Sequence, residues 1–154
     1  FKQRVIDTFM QQWHNEVATS RPLTLYKHFK LSIGLEYYLN LLPFKLRSAL
    51  TKLRLSSHTL CIESGRYANA IIEPNLRFCS LCVGRDIEDE YHFIIVCPVY
   101  NEIRKKYYFS QHYFRHPSVF KFINLMQENR SCIIRKLSKY VFEAFQLRNS
   151  LLAS

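Results

Sequence analysis

Three cysteines and one histidine, Cys79, Cys82, His92 and Cys97, lie within nineteen consecutive residues. Two cysteines with two residues between them can bind one ion from a single tight turn, because their sulfurs converge at about 2.3 Å from the metal. The histidine and the third cysteine complete a Cys3His set, and this mixture of thiolate and imidazole ligands favours zinc. The spacing therefore predicts one structural zinc (Zn2+) site with these four ligands.

An alternative interpretation is that these residues are buried free cysteines and a core histidine, since unpaired cysteine is among the most buried residue types. A catalytic zinc is disfavoured, because such an ion keeps one position open for water, whereas four side chains would close this site. The zinc deaminase signature places its histidine before the cysteine pair, and here the order is reversed. The His-Glu-x-x-His signature of metalloproteases is also missing. We therefore expect no enzymatic activity.

The residues around the four ligands indicate how the chain positions them. Gly84 follows the cysteine pair where a left-handed turn would help, and a short β-hairpin is one option for this knuckle. The acidic stretch 86–90 supplies a helix N-cap and first-turn acids. His92 would lie on that helix and Cys97 at its end. Residues five apart differ by about 140° around an α-helix, so Cys97 is expected to leave strict helical geometry.

The rest of the chain predicts a mainly α fold, since it has three glycines, five prolines, twelve phenylalanines and ten tyrosines. Apolar residues recur with helical spacing, and residues 23–31 are left open between an extended and a helical conformation. We predict a single domain, cut from a longer polypeptide, with N-terminal helices in 1–55, a connector and zinc segment in 56–98, and basic C-terminal helices in 99–154. The predicted helices span 1–17, 36–42, 44–55, 99–109, 118–126 and 133–152.

The first and last helices each carry an apolar stripe. We expect both stripes to lie in the core, although in a fragment they could face the missing remainder. Cys61 and Cys132 lie outside the ligand spacing and are also expected in the core. An odd number of cysteines, three of them at metal-ligand spacing, favours reduced thiols in the nucleus or cytoplasm. The chain lacks a secretion signal and a membrane-spanning run, so a secreted or membrane location is not expected.

The formal charge of +10 is unevenly distributed, since residues 101–154 hold ten Lys and Arg against three acids. Cations mixed with aromatic residues are typical of proteins that bind single-stranded nucleic acid, although a solvated helix face would have the same composition. The candidate residues for contacts with RNA or DNA are Arg66, Arg77, Arg104, Lys105, Lys106, Tyr107, Arg135, Lys136 and Lys139.

The connector contains His58, Glu63 and Arg66, which would suit the base, acid and phosphate clamp of a nuclease. One histidine and one acid without a second metal-binding carboxylate make a poor nuclease. The favoured interpretation is therefore that Glu63 pairs locally with Arg66 while His58 caps a turn.

The sequence resembles a family in three stretches: LRLSSHTLCIESGRY at 53–67, RFCSLC at 77–82 and IEDEYHFIIVCPVYNEIR at 87–104. These are similar to the C-terminal zinc-binding region that follows the reverse transcriptase in non-LTR retrotransposons. The resemblance implies a zinc-binding accessory module that helps the parent protein engage RNA or target DNA, with polymerase and endonuclease chemistry elsewhere. The alternative is a non-catalytic module that docks on the rest of the polymerase or on a host factor. The oligomeric state is left open.

Overall fold

The computed structural model describes residues 2–20, 23, 25–107 and 111–154, and the fold in these ranges is mainly helical. Short 3₁₀ helices cover Tyr26–His28, Pro74–Leu76 and Pro98–Tyr100, and a π-helix covers His92–Val96. The α-helices are α1 Lys2–Thr19, α2 Tyr37–Leu41, α3 Phe44–Arg54, α4 Cys61–Ser64, α5 Asn101–Tyr107, α6 Gln111–Phe114, α7 Val119–Met126 and α8 Ser131–Ala153.

The core forms where α8 packs against α3 and α5. Its largest fully buried side chains include Tyr100, Tyr140 and Phe93, and the rings of Phe93 and Tyr100 meet edge to face at 4.8 Å. The hydroxyl of Tyr140 donates a 2.7 Å hydrogen bond to the backbone oxygen of Phe93. A buried tyrosine needs such a partner, so this bond fixes α8 against the π-helix.

The predicted fold class is confirmed, and the predicted helices are present with ends shifted by a few residues. The segment left open at 23–31 contains the 3₁₀ helix Tyr26–His28. Residue 1 of the first predicted helix, and residues 108 and 109 of the helix predicted at 99–109, lie outside the described residues. Ser118 caps α7 by accepting a hydrogen bond from the Lys121 N–H at 3.3 Å. Among the described residues, the β-hairpin is reduced to one isolated antiparallel bridge between Phe78 and Ile87.

The two predicted core stripes have different outcomes. The α8 stripe is buried from Ile133 to Ala144, although Leu151 and Leu152 are exposed. The expectation for α1 was wrong, because Val17 is its only buried residue among those described, and Val5, Ile6 and Phe9 are exposed. The principal contact of α1 is with the 3₁₀ helix Tyr26–His28, which is too short to cover the whole stripe.

Two further sequence expectations concern the surface. Cys132 was expected in the core but is exposed at the start of α8, whereas Cys61 is half-buried. In the described part of the chain, no helix is both long enough and apolar enough to cross a membrane.

Candidate metal centre and basic surface

The structure brings Cys79, Cys82, His92 and Cys97 together, with one ligand atom from each within 4.8 Å of the others. Cys79, His92 and Cys97 are buried, and Cys82 is half-buried. The Nε2 atom of His92 lies 3.4 Å from the Sγ atom of Cys82. Bond lengths of about 2.3 Å to sulfur and about 2.0 Å to nitrogen put two tetrahedral zinc ligands roughly 3.5 Å apart. The four side chains can therefore hold one metal ion.

A tight backbone turn positions the first two ligands. The Cys79 N–H donates to the Asp86 carbonyl at 2.8 Å, and the Glu88 N–H donates to the Arg77 carbonyl at 2.9 Å. The left-handed position in this turn is Arg85, at φ 52°, and not Gly84 as expected. Glycine at 84 instead provides space, because a Cβ atom there would lie 2.9 Å from the Asp86 carboxylate.

The π-helix His92–Val96 positions the other two ligands. Its N-terminus is capped by Asp89, whose carboxylate accepts a 2.7 Å hydrogen bond from the His92 N–H. The Cys97 N–H donates to the His92 carbonyl at 2.7 Å, which is an i→i+5 bond. Such a bond stacks residues five apart on one side of the helix, whereas an α-helix would separate them. The prediction that Cys97 departs from α-helical geometry is confirmed. The wider turn of the π-helix brings Cys97 to the same side of the helix as His92.

The protonation of the four side chains links metal binding to pH. Burial lowers the pKa of His92, while Asp86, whose carboxylate lies 3.7 Å from Nδ1, opposes this shift. Burial raises the pKa of the Cys97 thiol to about 12 and raises that of Cys79 as well. Thiols must lose their protons to bind a metal, so binding releases protons and weakens as the pH falls.

Glu88 connects the metal group to α8. Its carboxylate accepts hydrogen bonds from Arg148 Nε at 2.8 Å, from an Arg148 terminal nitrogen at 2.7 Å and from the Cys61 N–H at 2.8 Å. One oxygen lies 3.9 Å from the sulfur of Cys79. Burial alone would raise the pKa of Glu88, but these bonds outweigh it and hold the pKa below its usual range.

Arg148 is a basic residue of the last helix, but it does not contribute to the charged surface of that helix, because it is buried in its pair with Glu88. The sequence does contain a signal for this. Arg148 lies four residues after Ala144, inside the apolar stripe of α8, and an arginine on a buried helix face requires an acidic partner.

Two of the predicted nucleic-acid contacts are corrected by the structure. Arg77 is 5% exposed and donates to the backbone carbonyls of Ile62 and Ile72. Arg104 is 6% exposed and donates to the Ile94 carbonyl at 2.8 Å and to Asn101 at 2.6 Å. Both guanidinium groups satisfy backbone oxygens in the irregular chain between residues 62 and 94 that lack helical partners. They are therefore structural residues of this segment.

The other predicted residues of α5 stay near the surface. Lys105 is exposed beside Glu102, and Lys106 is exposed and bridges to Glu143 of α8 at 2.8 Å. The hydroxyl of Tyr107 also donates to Glu143, and its ring is half-buried. The contacts of Lys106 and Tyr107 with Glu143 place this end of α5 directly beside α8.

The predicted residues of α8 point away from the core. Arg135 and Lys139 are exposed one turn apart, and Lys136 is half-buried. Glu143, which binds Lys106, lies one turn after Lys139, so the cations of the two helices share one face. We call this face the basic surface; it consists of Lys105, Lys106, Arg135, Lys136 and Lys139.

The connector residues form local pairs. Arg66 is half-buried and pairs with Glu63 at 3.2 Å, as predicted. The His58 side chain is only 1% exposed, its Nε2 lies 3.0 Å from the Glu90 carboxylate, and its Nδ1 accepts the Leu60 N–H at 3.4 Å. The Nε2 contact therefore holds the connector against the acidic stretch 86–90, while the Nδ1 contact stabilises a turn within the connector.

Comparison with protein-family models, with curated proteins and with solved structures finds no match for this chain.

Proposed function

We propose that this chain is a zinc-stabilised, nucleic-acid-binding accessory domain of a retrotransposon-type reverse transcriptase. It contacts RNA or target DNA through the basic surface, and polymerase and nuclease activities lie elsewhere in the parent polypeptide. The observation that carries the proposal is the shared face of α5 and α8, where several exposed cations lie together. Lysine and arginine that neutralise phosphates supply most of the sequence-independent binding to nucleic acids.

Zinc is the metal that we assign to the Cys3His group. Thiolates select against magnesium, calcium and manganese, and a buried tetrahedral set of sulfur and nitrogen ligands is typical of structural zinc. Four protein ligands leave no position for a water or substrate molecule. The role assigned to the ion is to hold the knuckle to the π-helix and, through Glu88, to α8.

A salt titration of oligonucleotide binding tests the nucleic-acid function. The affinity of the full chain for single-stranded RNA and DNA should fall log-linearly with salt, with a slope of about −0.7 for each phosphate contacted. The double variant Arg135→Glu, Lys139→Glu should reduce that slope by about 1.4, because two phosphate contacts are lost.

The matched control reverses two exposed cations away from the basic surface, Arg4→Glu on α1 and Lys27→Glu on the 3₁₀ helix next to it. It changes the net charge equally and should leave the slope nearly unchanged. Affinity that is independent of salt, or an equal loss in both double variants, would contradict binding through the basic surface.

A second function, docking on the remainder of the polymerase or on a host factor, is favoured by α1. Its apolar stripe is largely exposed, with Phe9 at 60%. Binding between apolar surfaces should be nearly insensitive to salt, unlike binding to phosphates. The test is to measure association with the adjoining reverse transcriptase polypeptide: Phe9→Gln should weaken it and leave oligonucleotide affinity unchanged. Equal association of Phe9→Gln and the parent chain would exclude α1 as the docking site.

A further inference from the structure

A groove of about 720 Å³ runs between α3 and α8, on the opposite side of α3 from the ion pair of Arg54 with Glu36. Its floor contains the half-buried rings of Phe142 and Phe145. Phe44 and Tyr67 stand at its rim with 73% and 80% of their surfaces exposed. The volume lies within the usual range for sites that take organic ligands, and the lining is rich in aromatic rings.

The charges around the groove favour an anionic ligand. Lys45 and Lys52 line it from α3 and are exposed. Within 2–20, 23, 25–107 and 111–154, neither ammonium group makes a hydrogen bond or an ion pair with another residue. Of the lining residues, only Glu63 is acidic, and Arg66 pairs with it. The net potential at the mouth of the groove is therefore positive.

The groove also contains side chains that can recognise the edge of a base. Gln146 and Asn149 line it from α8, and both are exposed. A carboxamide has a donor and an acceptor side by side, which matches the paired donor and acceptor on the edge of a nucleobase. The groove thus combines aromatic rings on its floor, amide side chains from α8 and lysines from α3. Together these groups can bind a base and its phosphate.

The groove continues the basic surface along α8. Arg135, Lys139, Phe142, Gln146 and Asn149 are separated by four, three, four and three residues. Side chains at this spacing follow one line along a helix. Lys139 is seven residues from Gln146, which is about 10 Å at 1.5 Å per residue. A strand whose phosphates meet Arg135 and Lys139 would thus reach the groove within one or two nucleotides.

We propose that the groove between α3 and α8 binds one unpaired nucleobase of the strand that lies on the basic surface. The inference rests on the proposed function and adds a specific site to it. An unpaired base can turn both ring faces toward aromatic side chains, whereas a base inside a duplex is already stacked and paired. The groove thereby makes the domain prefer single strands over duplexes.

The experiment uses two strands with identical charge and the full chain. One strand consists only of abasic sugar-phosphate units, and the other carries a single 2-aminopurine in the middle. The basic surface contacts both strands equally, so their difference in affinity reports the base alone. We expect the strand with the base to bind about tenfold more tightly, and its fluorescence to be quenched by stacking.

Phe44→Ala should remove most of that gain, because the exposed ring at the rim is lost. Phe120→Ala is the matched control, since Phe120 is also 73% exposed but lies on α7 and does not line the groove. Gln146→Ala gives a second measurement of the same affinity difference, at an exposed position that folding does not require. Equal affinity for the two strands, or the same affinity difference in Phe44→Ala and Phe120→Ala, overturns the proposal that the groove binds a base and leaves phosphate binding intact. Failure of both strands to bind overturns the proposed function as well.

Discussion

Helices α1 and α8 share an amphipathic sequence pattern, but their apolar faces have different surroundings. Both are long and amphipathic, at 18 and 23 residues, and both carry an apolar stripe at helical spacing. The α8 stripe lies in the core, whereas most of the α1 stripe faces solvent. Helical periodicity therefore predicts that a helix forms and which face is apolar, but it does not predict what covers that face.

Polar contacts make the difference between the two helices. From α8, Arg148 reaches the buried Glu88 and Tyr140 reaches the backbone of the π-helix. The hydrogen bonds between side chains on α1, such as Gln3 to Asp7 at 2.9 Å, stay within that helix. The stability of α8 should thus depend on the segment 79–97 that contains the Cys3His group, while α1 should be nearly independent of it. Four predictions test this contrast.

Removal of the metal should have the largest effect. Structural zinc contributes on the order of 10 kcal/mol to folding, so a chelator should unfold the zinc segment and release α8 from it. Circular dichroism during chelation, followed by thermal melting, measures this loss. Cys97→Ser should reproduce it, because Cys97 is a buried ligand at the end of the π-helix.

Cys132→Ser is the control for the ligand variant, since Cys132 is an exposed cysteine outside the metal group. It should change stability by less than about 0.5 kcal/mol. The circular dichroism signal of α1 should survive chelation only to the extent that an isolated helix of this length is stable. Such helices are marginally stable in water. A chelated chain with unchanged melting behaviour would contradict the structural role of the metal.

The ion pair of Arg148 with Glu88 should have the next largest effect. Arg148→Met leaves a buried carboxylate without its positive partner, which typically costs about 3–5 kcal/mol. The change is measured by denaturant unfolding of the metal-loaded chain. Arg4→Met on the exposed surface of α1 is the control and should cost less than about 0.5 kcal/mol.

A double variant separates the pair from the packing of the arginine. Arg148→Met with Glu88→Gln removes both charges, and the amide oxygen can still accept the hydrogen bond from the Cys61 N–H, so the double variant should recover part of the loss. If the single and double variants are equally destabilised, the loss comes from packing alone, and the ion pair does not anchor α8.

These anchors show why part of the site could be predicted and part could not. The four metal ligands follow from local spacing, because a turn and a single helix bring them together. The π-helix follows partly, since two ligands five positions apart cannot stack on one side of an α-helix. The roles of Arg77 and Arg104 depend on backbone carbonyls that the fold brings near, and their charge gives no sign of them. The position of Arg148 in the apolar stripe indicates burial, but it does not identify Glu88 as the partner. The exposure of α1 depends on which other elements pack against its apolar stripe, and helical periodicity does not specify those elements.

Paired truncations of apolar residues on the two helices should show a smaller contrast. Leu137 on α8 is 2% exposed, and Leu137→Ala should cost about 2–5 kcal/mol because it leaves a cavity in the core. Phe9→Ala on α1 removes a larger but exposed side chain and should cost less than about 0.5 kcal/mol. Denaturant unfolding of both variants measures the difference. A comparable loss from Phe9→Ala would show that α1 packs against the domain in solution.

Substitution of Glu128, just before α8, should have the smallest effect on stability, and this effect depends on pH. The Glu128 carboxylate accepts the N–H groups of Asn129 and Arg130 at 3.0 and 3.1 Å and pairs with the Arg130 side chain. The hydrogen bond from Arg130 lowers the pKa of Glu128 to about 2. A carboxyl whose pKa is lower in the folded state stabilises the fold above its ordinary pKa and loses that contribution as the pH falls.

Glu128→Gln should therefore cost about 1 kcal/mol at neutral pH, which is a typical net contribution of a hydrogen bond in a folded protein. The difference from the parent chain should shrink between pH 4.5 and pH 2, where the parent carboxylate becomes protonated. Urea unfolding at a series of pH values measures it. Asp7→Asn on α1 is the matched change of an exposed acid and should cost less than about 0.5 kcal/mol at neutral pH. A cost for Glu128→Gln that stays constant down to the acid end would mean that the charge of Glu128 does not support α8, because only an interaction of the ionised form disappears on protonation.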